Sequence, residues 1–426
     1  MPSMPTLRPF LRGQRSGPAR AVAGAAFLAY LAGAIGPRSG AAQEPPASVL
    51  PEPAVAAAPV TSGEVRAGVP VDAGPVAEPM YVPDPIDRGA YAAIPEAVPS
   101  DFDPDWPRWF AGATGLVMTR TLPSGAATMQ PTAGLPTLST ASAGATWPGG
   151  VDFKVGRWLG AQQRHGIEGI YWGLYGLGGS ASVAGAGIDA IPQAPGVTLA
   201  GSPASSFLSG SSAQSIGRTD TVNDVEINWL YRVTERPEFA APGQRVAFQW
   251  LAGFRFFQLE DVLTQVSTSS SLPPSPTGAN RALLSVATDN DIYGAQAGFQ
   301  ADWRVAPRLR LTAVPKMMIG GNAVTNTTAL GTVSGASATF AGGAPVNVHA
   351  TADAFSWLGS VDAGAAWDVT DRWSLWLGYR VVGVGNVALA DNQWPSTLAA
   401  PAALESIVTG SGTLLHGGYA GFQGRW

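Results

Sequence analysis

The chain has 426 residues, 46% of them hydrophobic and only 13% charged, with a net charge of −5 and no cysteine. Its charged fraction is about half that of an ordinary soluble domain. No basic patch interleaved with aromatics points to nucleic acid, and disulfides and thiolate metal sites are excluded.

Residues 1–42 have the form of an export signal. Arg8, Arg12, Arg15 and Arg20 precede an apolar run at residues 21–36, and Ser39-Gly40-Ala41-Ala42 offers cleavage after Ala42. A membrane anchor is the alternative, but the run falls short of the ~20 residues of a helical span. Residues 43–105 are rich in Pro, Ala and Val and have no sustained period. Proline removes ladder donors and favours extended chain. This stretch reads as a periplasmic linker, with cell-wall or periplasmic contacts as its functional alternative.

From residue 106 onward the pattern has a period of two, so residues 106–426 are expected to form one β-domain. Strands are expected at 109–120, 150–160, 167–177, 222–234, 245–259, 291–305, 308–324, 355–369, 373–381 and 413–426. The hairpin at 355–389 is the clearest. Phe355, Trp357, Val361, Ala363, Ala365, Trp367 and Val369 form one face, and Ser356, Ser360, Asp362, Asp368 and Thr370 fall on the other. In strand 167–177, Ile170, Trp172 and Leu174 compete with Tyr171 and Tyr175 for the lipid face. Connections alternate short and long, the outer-membrane pattern. The expected fold is all-β: a closed antiparallel transmembrane barrel of ten strands, or twelve if residues 178–220 hide a further hairpin. An even count puts both mature termini in the periplasm. The long connections, 178–220 and 262–288 among them, read as solvated outer loops.

Several stretches together resemble the planctomycete β-barrel porin 7 family. They include WFAGATGLVMTR, FKVGRWLG, IEGIYWGLYGL, DVEINWLYR, LAGFRFFQLED, TDNDIYGAQAGFQADWRV and FSWLGSVDAGAAWDVTDRWSLWLGYR. The resemblance covers residues 109–426 and implies an outer-membrane barrel; it brings no catalytic residues.

The expected inward face mixes Lys154, Arg232, Arg255, Arg304, Arg310, Lys316 and Arg380 with Asp152, Asp224, Glu226, Asp302, Asp362 and Asp368. In so dry a space these charges must pair. A paired plug network is the first reading, and a selectivity lining is the second. Gly156, Gly253, Gly364 and Gly378 share that face and could accommodate its bulk. Asp289-Asn290-Asp291 suits calcium by residue type, or an Asx-rich turn. His165, His349 and His416 lack sequence-adjacent carboxylates, and the serines of SPASSFLSGSSAQS lack a nucleophile motif. Phe422 and Trp426 end the chain with the aromatic signature read by barrel-assembly machinery. The expected protein is a porin-like barrel with a narrow or plugged lumen, not an enzyme, and without metal or cofactor. Its alternative is a surface structural or adhesion protein that uses the barrel as a pedestal. Its partners are outer-membrane lipid and the assembly machinery.

Overall fold

The computed structural model describes residues 107–233 and 245–426. The expected signal (1–42), the linker (43–105) and the short connection at 235–244 lie outside them. The elements are β1 (Trp109–Arg120), β2 (Gly149–Leu159), β3 (His165–Leu177), β4 (Ser180–Ile188), β5 (Thr198–Leu199), β6 (Ser202–Pro203), α1 (Ser205–Leu208) and β7 (Ser211–Arg232). They continue with β8 (Val246–Thr268), β9 (Arg281–Ala306), β10 (Leu309–Thr332), β11 (Ala338–Thr339), β12 (Asn347–Asp368), β13 (Trp373–Val387) and β14 (Ser411–Arg425).

Ten strands form an antiparallel ring in the order β3-β2-β1-β14-β13-β12-β10-β9-β8-β7, closed by β3 on β7. The first and last strands meet through two backbone hydrogen bonds between Trp109 and Trp426, of 2.9 and 3.0 Å. Ring closure removes the sheet edges that lipid could not satisfy. The expected ambiguity inside 178–220 resolves as one strand outside the ring: β4 takes over the edge of β7 above the point where β3 stops.

The long strands correct the loop expectation. β7, β8, β9, β10 and β12 run for 22, 23, 26, 24 and 22 residues, where a membrane-spanning strand needs about 9 to 11. Residues 262–268 and 281–288, expected in a loop, are strand, and the true connection is 269–280. Within the membrane band the outward face is apolar: Ile227, Trp250, Ile319, Phe355 and Leu377 are all exposed. Farther out the pattern inverts. Ile216, Leu263, Leu284, Leu330 and Val348 turn inward and are buried, while Thr264, Ser285, Thr325, Thr327 and His349 face outward. The outer halves of the strands therefore stand in water and wrap an apolar core of their own.

The outer connections join that core instead of waving in solvent. Phe207 and Leu208 of the serine-rich segment are buried, as are Leu398, Leu404 and Trp394. β11, β5 and β6 form a small sheet in the same cap. This corrects the expectation of solvated loops. The physical reason is compositional: strand ends that shed their lipid contacts must bury apolar side chains against something, and the loops supply it.

Candidate functional site

The lumen is the one place where every ring strand contributes inward side chains. It is packed in tiers, and β8 climbs through all of them with alternate residues: Leu251, Arg255, Phe257 and Leu259, Asp261, then Leu263. At the end bearing the termini, Phe110, Trp158, Leu230 and Leu251 form a small apolar cluster. It sits beside an open vestibule lined by Lys154, Glu168, Gln300, Asp302, Arg310 and Trp376, among others.

Above lies a lower charged tier. Lys316 Nζ donates to both oxygens of Glu226 at 2.9 and 2.8 Å, and Asn228 and Gln296 donate to the same carboxylate at 3.0 and 2.9 Å. Arg255 reaches Asp224 at 2.7 Å and Ser360 at 3.3 Å. Arg380 bridges two strands by donating to Asp362 and to Asp152, both at 2.7 Å. Its guanidinium lies 5.3 Å from the Trp172 ring and 6.0 Å from the Tyr419 ring. Glycines make room for these rings. A Cβ at Gly378 would collide with Tyr419, and one at Gly156 would collide with Phe110.

The remaining sequence-predicted charges sit near the vestibule. Arg310 donates to Asp368 at 3.1 Å. Lys154 is 3.8 Å from Glu168, a partner the sequence reading did not pick out. Asp302 accepts from Thr312 at 2.6 Å and from Gln300 at 2.8 Å. Arg232 lies over the Trp158 ring at 3.4 Å and donates to the Gln163 carbonyl at 3.2 Å. Arg304 faces inward, but no ion pair joins it to another described residue, and its Nε has no hydrogen-bond partner. It is the one inward charge of the expected set that the network does not take up.

A continuous apolar belt comes next: Leu116, Met118, Trp172, Leu174, Val222, Phe257, Leu259, Ile292, Met318, Leu358, Val382 and Leu415, joined by Leu389 from the connection at residues 388–410. Trp172, placed ambiguously by the sequence, packs its ring 6.1 Å from Phe257, so Ile170, Trp172 and Leu174 face inward and Tyr175 faces out.

The upper charged tier escaped the sequence reading. Arg120, Arg218, Asp220, Asp261 and Asp391 have fully buried side chains. Arg218 donates to Asp261 at 2.9 Å and to both oxygens of Asp391 at 2.7 Å, and Arg120 donates to Asp261 at 3.0 Å. Arg120 Nε lies 3.1 Å from Asp220 without hydrogen-bond alignment. Three carboxylates thus face two guanidiniums, and one proton would neutralise the group. Burial, reinforced by the neighbouring Asp261, pushes Asp220 up to about 9. Burial acts in the same direction on Asp261, but Arg120 and Arg218 outweigh it and hold Asp261 below its ordinary value. The 388–410 connection is held here by its backbone as well. Asn290 exchanges two hydrogen bonds with Ala388 at 2.8 and 2.9 Å, and Ala390 donates to Asp261 at 3.2 Å. Arg218, Asp220 and Asp391 lay in stretches that read as loops, so no strand face could be assigned to them.

The other candidates are dispersed. Asp289-Asn290-Asp291 lies within β9, and the strand period splits it. Asn290 points into the lumen and is buried, while Asp289 and Asp291 point out, so the three cannot converge on one ion and do not form a turn. His165 packs at a tilt against Trp229 and Tyr231, His349 contacts Thr327 at 3.1 Å, and His416 contacts Tyr379 at 2.6 Å. Phe422 and Trp426 are exposed on the outer face, with Phe422 6.0 Å from Trp373 between ring centroids.

No curated protein matches the chain in sequence. Among solved structures, the outer membrane protease OmpT from Escherichia coli is 10% identical with a TM-score of 0.41, covering 76% of this chain and 98% of that one. A major outer membrane protein from Thermus thermophilus is 9% identical with a TM-score of 0.27, covering 75% and 98%. The toluene transporter TodX from P. putida is 9% identical with a TM-score of 0.26, covering 76% and 91%. Likenesses at these scores carry no argument about activity. Residues 112–406 match the family described as "Putative beta barrel porin-7 (BBP7)". With most of the ring inside that match, the chain belongs to the beta barrel porin-7 family.

Proposed function

We propose that this protein is a porin-like outer-membrane barrel with a plugged lumen. In this reading residues 1–42 direct export, both mature termini are periplasmic, the cap faces outward, and residues 43–105 link the barrel to the periplasm. The observation that carries it is the apolar belt. Phe257, Trp172, Met318, Leu358 and Val382 are at most 1% exposed, and Leu389 closes over them from the 388–410 connection. Eight-stranded barrels are just filled by side chains, whereas about 16 strands leave an aqueous channel. Ten strands with large inward residues lie near the filled end. Purified monomer in planar bilayers is expected to show little steady conductance; large stable openings of general-porin size would overturn the proposal.

The cap favours a second reading, a surface structural or adhesion protein on a barrel pedestal. A packed outer unit with its own apolar core is more than a filled pore needs. In that case cells carrying the protein would gain adherence that protease treatment of the outer connections removes. Adherence unchanged by such treatment would sink it.

A further inference from the structure

The vestibule at the termini end is a dead end, closed by the lower charged tier, so whatever enters it must leave the way it came. It has two joined compartments, one at the mouth and one deeper in. Five residues line both compartments and form the neck between them: Lys154, Glu168, Gln300, Trp376 and Gln423.

Their chemistry is that of a site for a neutral, hydroxyl-rich ligand. Trp376 is half-buried, and its indole Nε1 has no hydrogen-bond partner. An aromatic ring gives a sugar's C–H face a flat apolar surface. The Gln423 side chain makes no hydrogen bond among the described residues, so its amide can donate and accept at once. Gln300 donates to Asp302 at 2.8 Å and accepts from Gln249 at 3.3 Å. Lys154 and Glu168 are only 3.8 Å apart, and Glu168 also accepts from Asn228 at 3.2 Å.

Charge decides against an ionic ligand. Around the neck and floor each cation already has an acidic partner: Lys154 with Glu168, Lys316 with Glu226, Arg310 with Asp368, and Arg380 with Asp152 and Asp362. An anion or a zwitterion at the neck or floor would have to compete with one of these pairs, and breaking it leaves a charge unpaired. A polyol can hydrogen-bond to the pairs as they stand.

We infer that the vestibule binds a neutral saccharide, with Trp376 as its stacking platform and Gln423 as its bifunctional hydrogen-bond partner. The site goes beyond a plugged barrel and does not require the lumen to be closed at its outer end. Only entry from the periplasm rests on the orientation proposed above. Detergent-folded protein tests the site without reference to orientation, and bilayer conductance tests the plug without reference to the site.

The experiment is a titration of the folded full-length barrel with N,N′-diacetylchitobiose, maltose and cellobiose, followed by tryptophan fluorescence and calorimetry. Saturable binding to at least one, insensitive to salt, is expected. Trp376→Ala should weaken it roughly tenfold, and Gln423→Ala roughly threefold or more. Heat-modifiable mobility checks that each variant is folded, and Gln423→Ala serves if Trp376→Ala does not fold. Capture of the protein on purified cell-wall sacculi, competed by soluble saccharide, would identify a wall glycan as the source, whereas binding confined to soluble sugars would identify a free oligosaccharide. Failure of all three sugars to bind, unchanged affinity in folded variants, or preference for a charged sugar with strong salt dependence would each overturn the inference.

Discussion

Arg218 donates one hydrogen bond of 2.7 Å to each carboxylate oxygen of Asp391, 173 residues further along the chain, and neither side chain is exposed. The pair joins a ring strand to the connection that closes the lumen. Breaking a buried pair from one side costs about 3–5 kcal/mol because the other charge stays behind. Asp391→Ala should therefore free residues 388–410 for proteolysis while the ring keeps its heat-modifiable mobility. Equal protection in wild type and variant would show that the apolar contacts alone hold the connection.

The same tier predicts a dependence on pH. Asp220 keeps its proton in the folded state up to about 9, against an ordinary value of 3.8. A raised folded-state value means that the folded form binds more protons across this window. The stability contribution is full below the ordinary value, is lost as pH rises toward 9, and is flat beyond. Asp261, Asp391, Arg120 and Arg218 face Asp220 within the tier. Hydrogen-exchange protection of the cap, taken relative to the intrinsic base-catalysed rate, should fall from mildly acid to alkaline buffer, and Asp220→Asn should flatten that slope. A variant that keeps the wild-type slope would assign the dependence elsewhere.

Opening the lumen should take more than removing its charges. The belt of Phe257, Trp172 and Leu389 stands beyond Arg255 and Arg380. Arg255→Ala with Arg380→Ala is expected to lower thermal stability and leave conductance near the wild-type level. Phe257→Ala with Leu389→Ala on that background should raise conductance. Large currents from the arginine double variant alone would mean that the belt does not seal.

Trp426 and Phe422 bear on assembly. Deleting Trp426 removes two backbone hydrogen bonds at the seam with Trp109, and should lower the yield of folded barrel in cells more than Val408→Ala does. Val408 is an exposed side chain in the cap and a fair control. Trp394 is not one, because it is buried and its Nε1 donates to the Ile191 carbonyl at 3.4 Å. Equal yields for the two variants would remove the terminal aromatic as a signal.

The ring was legible because lipid and lumen demand opposite residue types on alternate positions. Ile227 against Glu226, or Leu377 against Trp376 and Arg380, states a strand and its orientation together. Beyond the bilayer that contrast reverses or fades. On β10, Thr325, Thr327 and Ala329 face out while Asn326, Thr328 and Leu330 face in, and small polar residues on both faces look like loop. Between about a third and a half of each long strand was hidden this way. The lower charged tier could be anticipated from strand faces, whereas its pairings could not. The upper tier depends on Asp391, which lies on no strand and meets Arg218 only after the barrel has closed.

The change of sides along each long strand also works as a waterline. It falls near Val225 on β7, Phe256 on β8, Tyr293 on β9, Ile319 on β10 and Phe355 on β12. Just beyond it, Glu260, Asp289 and Asp291 point outward. A barrel that sank by one residue pair would drag these carboxylates toward hydrocarbon, and one that rose would lift Phe355 and Ile319 into water. Vertical play is penalised in both directions, so in a bilayer of the wrong thickness the lipid must stretch or thin around a protein that keeps its depth.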